Sequence, residues 1–211
     1  DILGRRVMTF DEIKRQMHDP YSISINEVVI KPIKGQAGQG IIFPMQNFTS
    51  LRQLHDYVIS TVKKPDEYLY EERIIQHSAL NKLNPSSLNT LRIVTYYDES
   101  INKVDVWSVV LRIGIKACTD NFATGGIAAL VDHRGVVCQP AIIKHPSGER
   151  FHIHPVSGEK ITGCIIPYYD QAIALAKQAA IRIPKVRSIG WDVAITETGP
   201  YMLEGNDNWC M

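Results

Sequence analysis

The chain has 211 residues, 45% of them apolar, which is enough to bury a sizeable core in one large domain or in two packed lobes. Its formal net charge is +1 with the basic residues dispersed, which argues against the basic stripe of a nucleic-acid or membrane-surface binder. No apolar run reaches the roughly 18 residues that a membrane-crossing helix requires, and no signal peptide is visible, so a soluble cytoplasmic protein is expected.

In chain order, Thr9-Phe-Asp-Glu12 fits a capping box and predicts a short helix to about His18. Ile23 to Ile30 alternates and then turns continuously apolar, as in a strand entering a core. Lys31-Pro-Ile-Lys-Gly-Gln-Ala-Gly-Gln-Gly40 follows as a glycine-rich turn, and Ile41 to Phe43 reads as a second strand. Thr49 or Ser50 caps a helix whose apolar positions Leu51, Leu54, Val58 and Val62 follow the helical period. Strands are expected over Tyr68 to Ile75, Leu91 to Tyr97, Val104 to Ile113, Ile127 to Val131 and Val136 to Cys138. An alanine-rich helix spans Tyr169 to Ile183, and Ile189 to Thr196 with Tyr201 to Glu204 reads as a hairpin. Many strands, few helices and little βαβ alternation predict an α+β fold with mainly antiparallel sheets.

Cys118, Cys138, Cys164 and Cys210 have no close spacing and read as buried free thiols in a reducing compartment. The start at Asp1, without methionine, and the stop at Met211 lead us to expect further sequence at one or both ends.

The C-terminal hairpin is the most informative segment. Glu-Thr-Gly between Thr196 and Pro200 suits a three-residue loop with a G1 bulge. Thr196 is then expected to pair with Pro200, Ala194 with Met202 and Asp192 with Glu204, placing Asp192, Glu204 and Asn206 on one face. Two adjacent carboxylates repel each other unless a cation neutralises them, and with an amide oxygen they form a hard oxygen site of the kind Mg²⁺ prefers. The alternative is a solvated polar face, against which stand the apolar alternate positions Trp191, Val193, Ile195 and Leu203.

Lys31 with Gly35, Gly38 and Gly40 could hold phosphate oxygens on exposed backbone N–H groups and an ammonium, or could simply be a hairpin turn. It is not a P-loop, since no Gly-Lys-Ser/Thr follows. Arg92, Arg112 and Asn121 lie in or beside apolar strands. They are either partners in structural ion pairs or groups that neutralise phosphoryl oxygens. Of the histidines, only His152 and His154 are close in sequence, and nothing completes a zinc set. Ser86-Ser87 lacks a nucleophile-elbow context.

Taken together these sets resemble the ATP-grasp superfamily. Lys31-Pro and the glycine loop resemble its lid hairpin, and Glu71-Glu72-Arg73-Ile74 its adenine-receiving hinge strand. Asp192, Glu204 and Asn206, within Gly-Trp-Asp and Leu-Glu-Gly-Asn, are similar to the metal triad of carboxylate–amine ligases such as the glutamate ligases. Arg112, Asn121 and Gly125-Gly126 are similar to the arginine–asparagine–glycine run of those ligases. More narrowly, Gln76-His77, Leu88-Asn-Thr-Leu-Arg-Ile-Val-Thr95, Asp120-Asn121, His154-Pro155, Gly190-Trp-Asp-Val-Ala-Ile-Thr196 and Glu204-Gly-Asn206 resemble the sugar-transfer-associated ATP-grasp family.

The resemblance implies two α+β lobes, residues 1–70 with the lid hairpin and 71–211 with the metal hairpin, and an ATP cleft between them. A preceding domain usual in such enzymes is expected to be absent. Lys31, Gly35, Gly38, Gly40, Glu71, Glu72 and Ile74 would bind ATP. Asp192, Glu204 and Asn206 would hold Mg²⁺, or Mn²⁺ in its place, with Glu204 bridging two ions. Arg92, Arg112 and Asn121 would be catalytic, and His77 and His154 are candidate cleft residues. The implied activity joins a carboxylate to an amine or related nucleophile through an acyl phosphate, with a cell-envelope or polysaccharide precursor as substrate. A small-molecule kinase and a non-catalytic nucleotide-binding module remain open alternatives, as does the choice between monomer and homodimer.

Overall fold

A computed structural model describes residues 27–34, 40–43, 48–62, 64, 67–115, 120–122, 125–144 and 148–209. The capping box at Thr9, the glycines Gly35 and Gly38, His145, Cys118 and Cys210 lie outside these residues. The chain divides into two compact units, Asp1–Arg73 and Ile74–Met211. The sequence-based boundary between 70 and 71 falls inside a strand, whose pairing carries the first unit on to Arg73.

In the first unit, β1 (Val28–Pro32) pairs antiparallel with β2 (Tyr68–Glu72). Helix α1 (Leu51–Thr61) begins at Ser50, whose hydroxyl accepts from the Gln53 N–H, while the Gln53 side chain reaches back to the Thr49 N–H. This reciprocal use of orphan donors resolves the choice of cap in favour of Ser50. The helical period brings Leu54, Val58 and the following Val62 onto Val28, Ile30 and Phe48 as a small separate core. Ile41 to Phe43 is no full strand: Ile42 makes a single two-bond bridge to Ile30.

The second unit is built on a seven-stranded antiparallel sheet of order β7-β6-β5-β4-β3-β8-β9. Its strands are β3 (Thr90–Asp98), β4 (Lys103–Ile113), β5 (Ile127–Leu130), β6 (Ala141–Ile143), β7 (Arg150–Phe151), β8 (Ser188–Thr196) and β9 (Gly199–Asn206). Among the described residues two helices accompany it, the single-turn α2 (Ser78–Asn81) and the long α3 (Tyr169–Arg182). Ala172, Ala176 and Ala180 recur every four residues and are buried, so a stripe without bulky side chains lets α3 lie across β3, β4, β8 and β9. Leu91, Ile93, Leu111, Ile113, Trp191, Val193 and Ile195 form the core on that side. Strand alternation turns Thr90, Arg92, Arg112 and Asp192 to the other face.

Expected strand Val136–Cys138 reduces to bridges with Val131 and Ile165. Cys138 and Cys164 are free, but Cys138 is exposed rather than buried, since no full strand holds it in the sheet. Strands β6 and β7 and helix α2, with three, two and four residues, are too short to produce a readable period.

The β8–β9 hairpin departs from expectation at its turn. Thr196 pairs with Gly199, Ile195 with Pro200 and Ala194 with Tyr201, one residue out of the anticipated register. The Thr196 hydroxyl accepts from the Thr198 N–H and donates to the Gly199 carbonyl, closing a two-residue loop, and Gly199 has φ +133°. A bulge between Asp192 and Val193, with Leu203 as the extra residue on β9, restores the expected pairing of Asp192 with Glu204 and sets Gly190 opposite Asn206.

Candidate functional site

On β3, Arg92 stands directly across from Asp192 of β8, and Arg112 of β4 across from Thr90. These positions share the face turned away from α3. Arg92 donates through Nε and Nη2 to the two Asp192 oxygens, the latter at 2.9 Å, and Arg112 Nη1 donates to Asp192 Oδ2 at 3.0 Å. Arg92 and Asp192 are buried, with 8% and 5% of their surface exposed. Charges so far from water require partners, and here they find them in each other. The structural ion pair is therefore what Arg92 and Arg112 make in this structure.

The far side of Arg112 meets Asp120, whose Oδ1 lies 3.7 Å from Nη2. Asp120 is also buried, and its Oδ2 accepts from both the N–H and the hydroxyl of Thr90. Burial pushes its carboxyl above the ordinary value, opposed by the Arg112 charge and the Thr90 hydrogen bonds. The result is an alternating row, Asp120, Arg112, Asp192, Arg92, in which two guanidiniums balance two carboxylates. Arg112 Nε is buried without a hydrogen-bond partner among the described residues. Asn121 follows Asp120, and its carbonyl accepts from the Gly126 N–H. Any side chain at Gly126 would bring its Cβ to 2.6 Å from the Asp120 carbonyl oxygen, so glycine is what allows this loop to close beside Arg112.

The sheet continues the polar face onto β9. Glu204, opposite Asp192, is exposed and makes no ion pair among the described residues. Asn206 Nδ2 donates to Glu204 Oε1 at 3.2 Å, leaving its Oδ1 without a partner among the described residues. Two carboxylates and an amide oxygen are donors suited to a hard divalent cation. An unpaired exposed carboxylate with a free amide oxygen beside it fits such an ion. Asp192, by contrast, is already neutralised by arginine. The described residues hold no group of three or more His, Cys, Asp or Glu side chains placed for a metal. Gly190 brings Trp209 onto the same face: a Cβ there would lie 2.6 Å from that of Trp209 and 3.0 Å from Arg92 Cδ.

The phrases around Gln76 and Asn89 turn out to position this face rather than line it. Gln76 Nε2 donates to the Asn84 and Ser87 carbonyls, and its Oε1 accepts from the Asn89 backbone and side chain. Asn84 Nδ2 and His154 Nε2 both donate to the Gly114 carbonyl, and the Gly114 N–H donates to Asn89 Oδ1. This buried network grips the chain two residues beyond Arg112. His154 is 1% exposed; His77 caps α2 through Nδ1 and pairs with Glu197 through Nε2 at 3.3 Å.

The remaining predicted residues fall elsewhere. Lys31 forms an ion pair with Glu71 within the first unit. Gly40 has φ +75° beside Pro32 and Tyr68, and exposed Glu72 pairs with Val28 in the β1–β2 ladder. Ile74 opens the second unit and is half-buried. Thr90 and Asp120 are functional candidates that the sequence reading passed over. Asp120 directly precedes Asn121 in the chain, but nothing local marks it as a partner of a side chain on β4.

A family model described as sugar-transfer associated ATP-grasp matches residues 4–211. No curated protein matches the chain.

Proposed function

The chain belongs to the sugar-transfer associated ATP-grasp family, and from that premise we propose that it is an ATP- and Mg²⁺-dependent ligase that joins a carboxylate to an amine or related nucleophile through an acyl phosphate. One observation carries the reading. Glu204, exposed and without an ion pair among the described residues, lies opposite Asp192, with half-buried Asn206 beside it opposite Gly190, on a sheet face that also presents Arg92 and Arg112. Oxygen ligands for a divalent ion beside two guanidiniums are what a phosphoryl group requires as charge moves through it.

In this reading Asp192, Glu204 and Asn206 hold the metal, which supplies charge neutralisation at the phosphate oxygens. Arg92 and Arg112 neutralise the transferring group, and Asn121 lies on the loop beside them. An oxygen of the substrate carboxylate bonds to the γ-phosphorus while the bond to the β–γ bridging oxygen breaks, and ADP departs. The nucleophile then attacks the acyl carbon, phosphate leaves with the acyl C–O bond pair, and the nucleophile gives up its proton. Lys31, Gly40, Glu71, Glu72 and Ile74 keep the nucleotide-contacting roles of the family resemblance in the same proposal. A cell-envelope or polysaccharide precursor is the proposed carboxylate.

Calorimetric titration with a non-hydrolysable ATP analogue and Mg²⁺ tests the reading. Metal-dependent binding is expected in the wild type and absent in Glu204→Ala, followed by ADP release only when both carboxylate and amine are supplied. A well-folded chain that binds no nucleotide sinks the proposal.

A further inference from the structure

Resting on that reading of the site, we infer that Asp192 exchanges partners, arginine for metal, so that divalent cation and nucleotide bind cooperatively, with Asp120 as the positioning residue that holds Arg112 during the exchange. Both Asp192 oxygens are engaged, Oδ1 by Arg92 and Oδ2 by Arg92 and Arg112. A cation arriving alone finds Glu204 and Asn206 open and Asp192 already neutralised. To gain the Asp192 ligand it must loosen a guanidinium that is itself mostly buried, with side-chain exposures of 10% for Arg92 and 12% for Arg112. A buried guanidinium left without an anion is costly.

Two anions can receive it. Asp120 already lies on the opposite side of Arg112, fixed by two hydrogen bonds from Thr90. An incoming polyphosphate is the second, and Arg112 Nε is a buried donor with no partner among the described residues. The polyphosphate therefore draws the arginines from Asp192 and opens the third ligand, while the metal at Asp192 frees the arginines for phosphate. Each ligand lowers the cost of binding the other, and by linkage the two effects are equal.

The test is titration of Mn²⁺, with free ion read by electron paramagnetic resonance, in the absence and presence of a non-hydrolysable ATP analogue. Wild type is expected to bind Mn²⁺ weakly alone and about tenfold or more tighter with the analogue. Arg112→Lys keeps the charge but loses the planar fork, so it should bind Mn²⁺ alone about tenfold tighter, with the coupling correspondingly reduced. A plain charge effect would leave the wild-type affinity unchanged in this variant. Arg92→Lys should move the same way and serves if Arg112→Lys does not fold. Asp120→Asn leaves Arg112 with Asp192 as its one carboxylate partner among the described residues, and should weaken binding of Mn²⁺ alone. Equal Mn²⁺ affinity in wild type and both lysine variants, including no binding in any of them, overturns the exchange. If the lysine variants gain metal affinity while the analogue binds none of the proteins, the arginine hold on Asp192 stands, but the nucleotide coupling and the proposed function both fall.

Discussion

Asp192 faces Glu204 across the β8–β9 ladder, yet one carboxylate is buried between two guanidiniums and the other lies in solvent. That contrast separates structural from functional dependence. Asp192→Asn leaves two buried guanidiniums short of an anion and should cost about 3–5 kcal/mol of stability. Glu204→Gln removes an exposed charge and should stay within about 0.5 kcal/mol. Urea unfolding of the two variants checks the pair of values; if the proposed metal role is right, both should also weaken Mn²⁺ binding. Equal stabilities would show that Asp192 is not held as described. The residue types at these positions were readable from sequence, because hairpin pairing follows from turn residues and alternation. That Arg92 and Arg112 reach Asp192 was not, because they come from strands separated from it by 100 and 80 positions.

At the scale of elements, the β8–β9 hairpin and α2 are joined by a contact that responds to pH. Glu197, at the turn, accepts from the Ser78 N–H and pairs with His77. Chiefly through that backbone hydrogen bond, its carboxyl is held below the ordinary value of 4.5. A carboxylate lowered in the folded state contributes stability above its unfolded pKa and loses it as pH falls through the folded one. Thermal unfolding between pH 6 and pH 3 should therefore show an acid-side loss in the wild type that is smaller in Glu197→Gln; identical profiles would remove this contact from the stability of the turn. Helix α3 relies less on capping: Tyr168 at its start has φ +53° and no side-chain cap, its hydroxyl instead donating to the Glu197 carbonyl. Tertiary contact there takes over from the local capping signal that sequence reading depends on.

At the scale of the whole molecule, two separate apolar clusters underlie the two units. Leu54, fully buried in the smaller one, should cost about 2–5 kcal/mol when replaced by alanine. Hydrogen exchange should then speed up in β1, α1 and β2 while the amides of β3, β4 and β8 keep their protection. Uniform loss of protection would mean that the two cores unfold as one. No helix among the described residues is long and apolar enough to cross a membrane.

The sequence by itself determined the α+β class, the strands β3, β4 and β8, the helices α1 and α3 and the carboxylate–amide hairpin. Each of these rests on periodicity or turn chemistry that acts over a few residues. It also carried the ATP-grasp resemblance, through the order and spacing of short phrases along the chain. Only the tertiary structure decided the rest. The turn shortened by one residue and the bulge at Leu203 corrected it, because the Thr196 hydroxyl closes a tighter loop than the glycine position suggests. Gln76, Asn89 and His154 became a buried clamp on Gly114, and Asp120 became the partner of Arg112: all but Arg112 lie outside the strands, and which loops meet is set by the order in which the strands assemble. Strand order, in turn, is fixed by which apolar faces α3 and the sheet can bury together, and no local stretch of sequence encodes that choice.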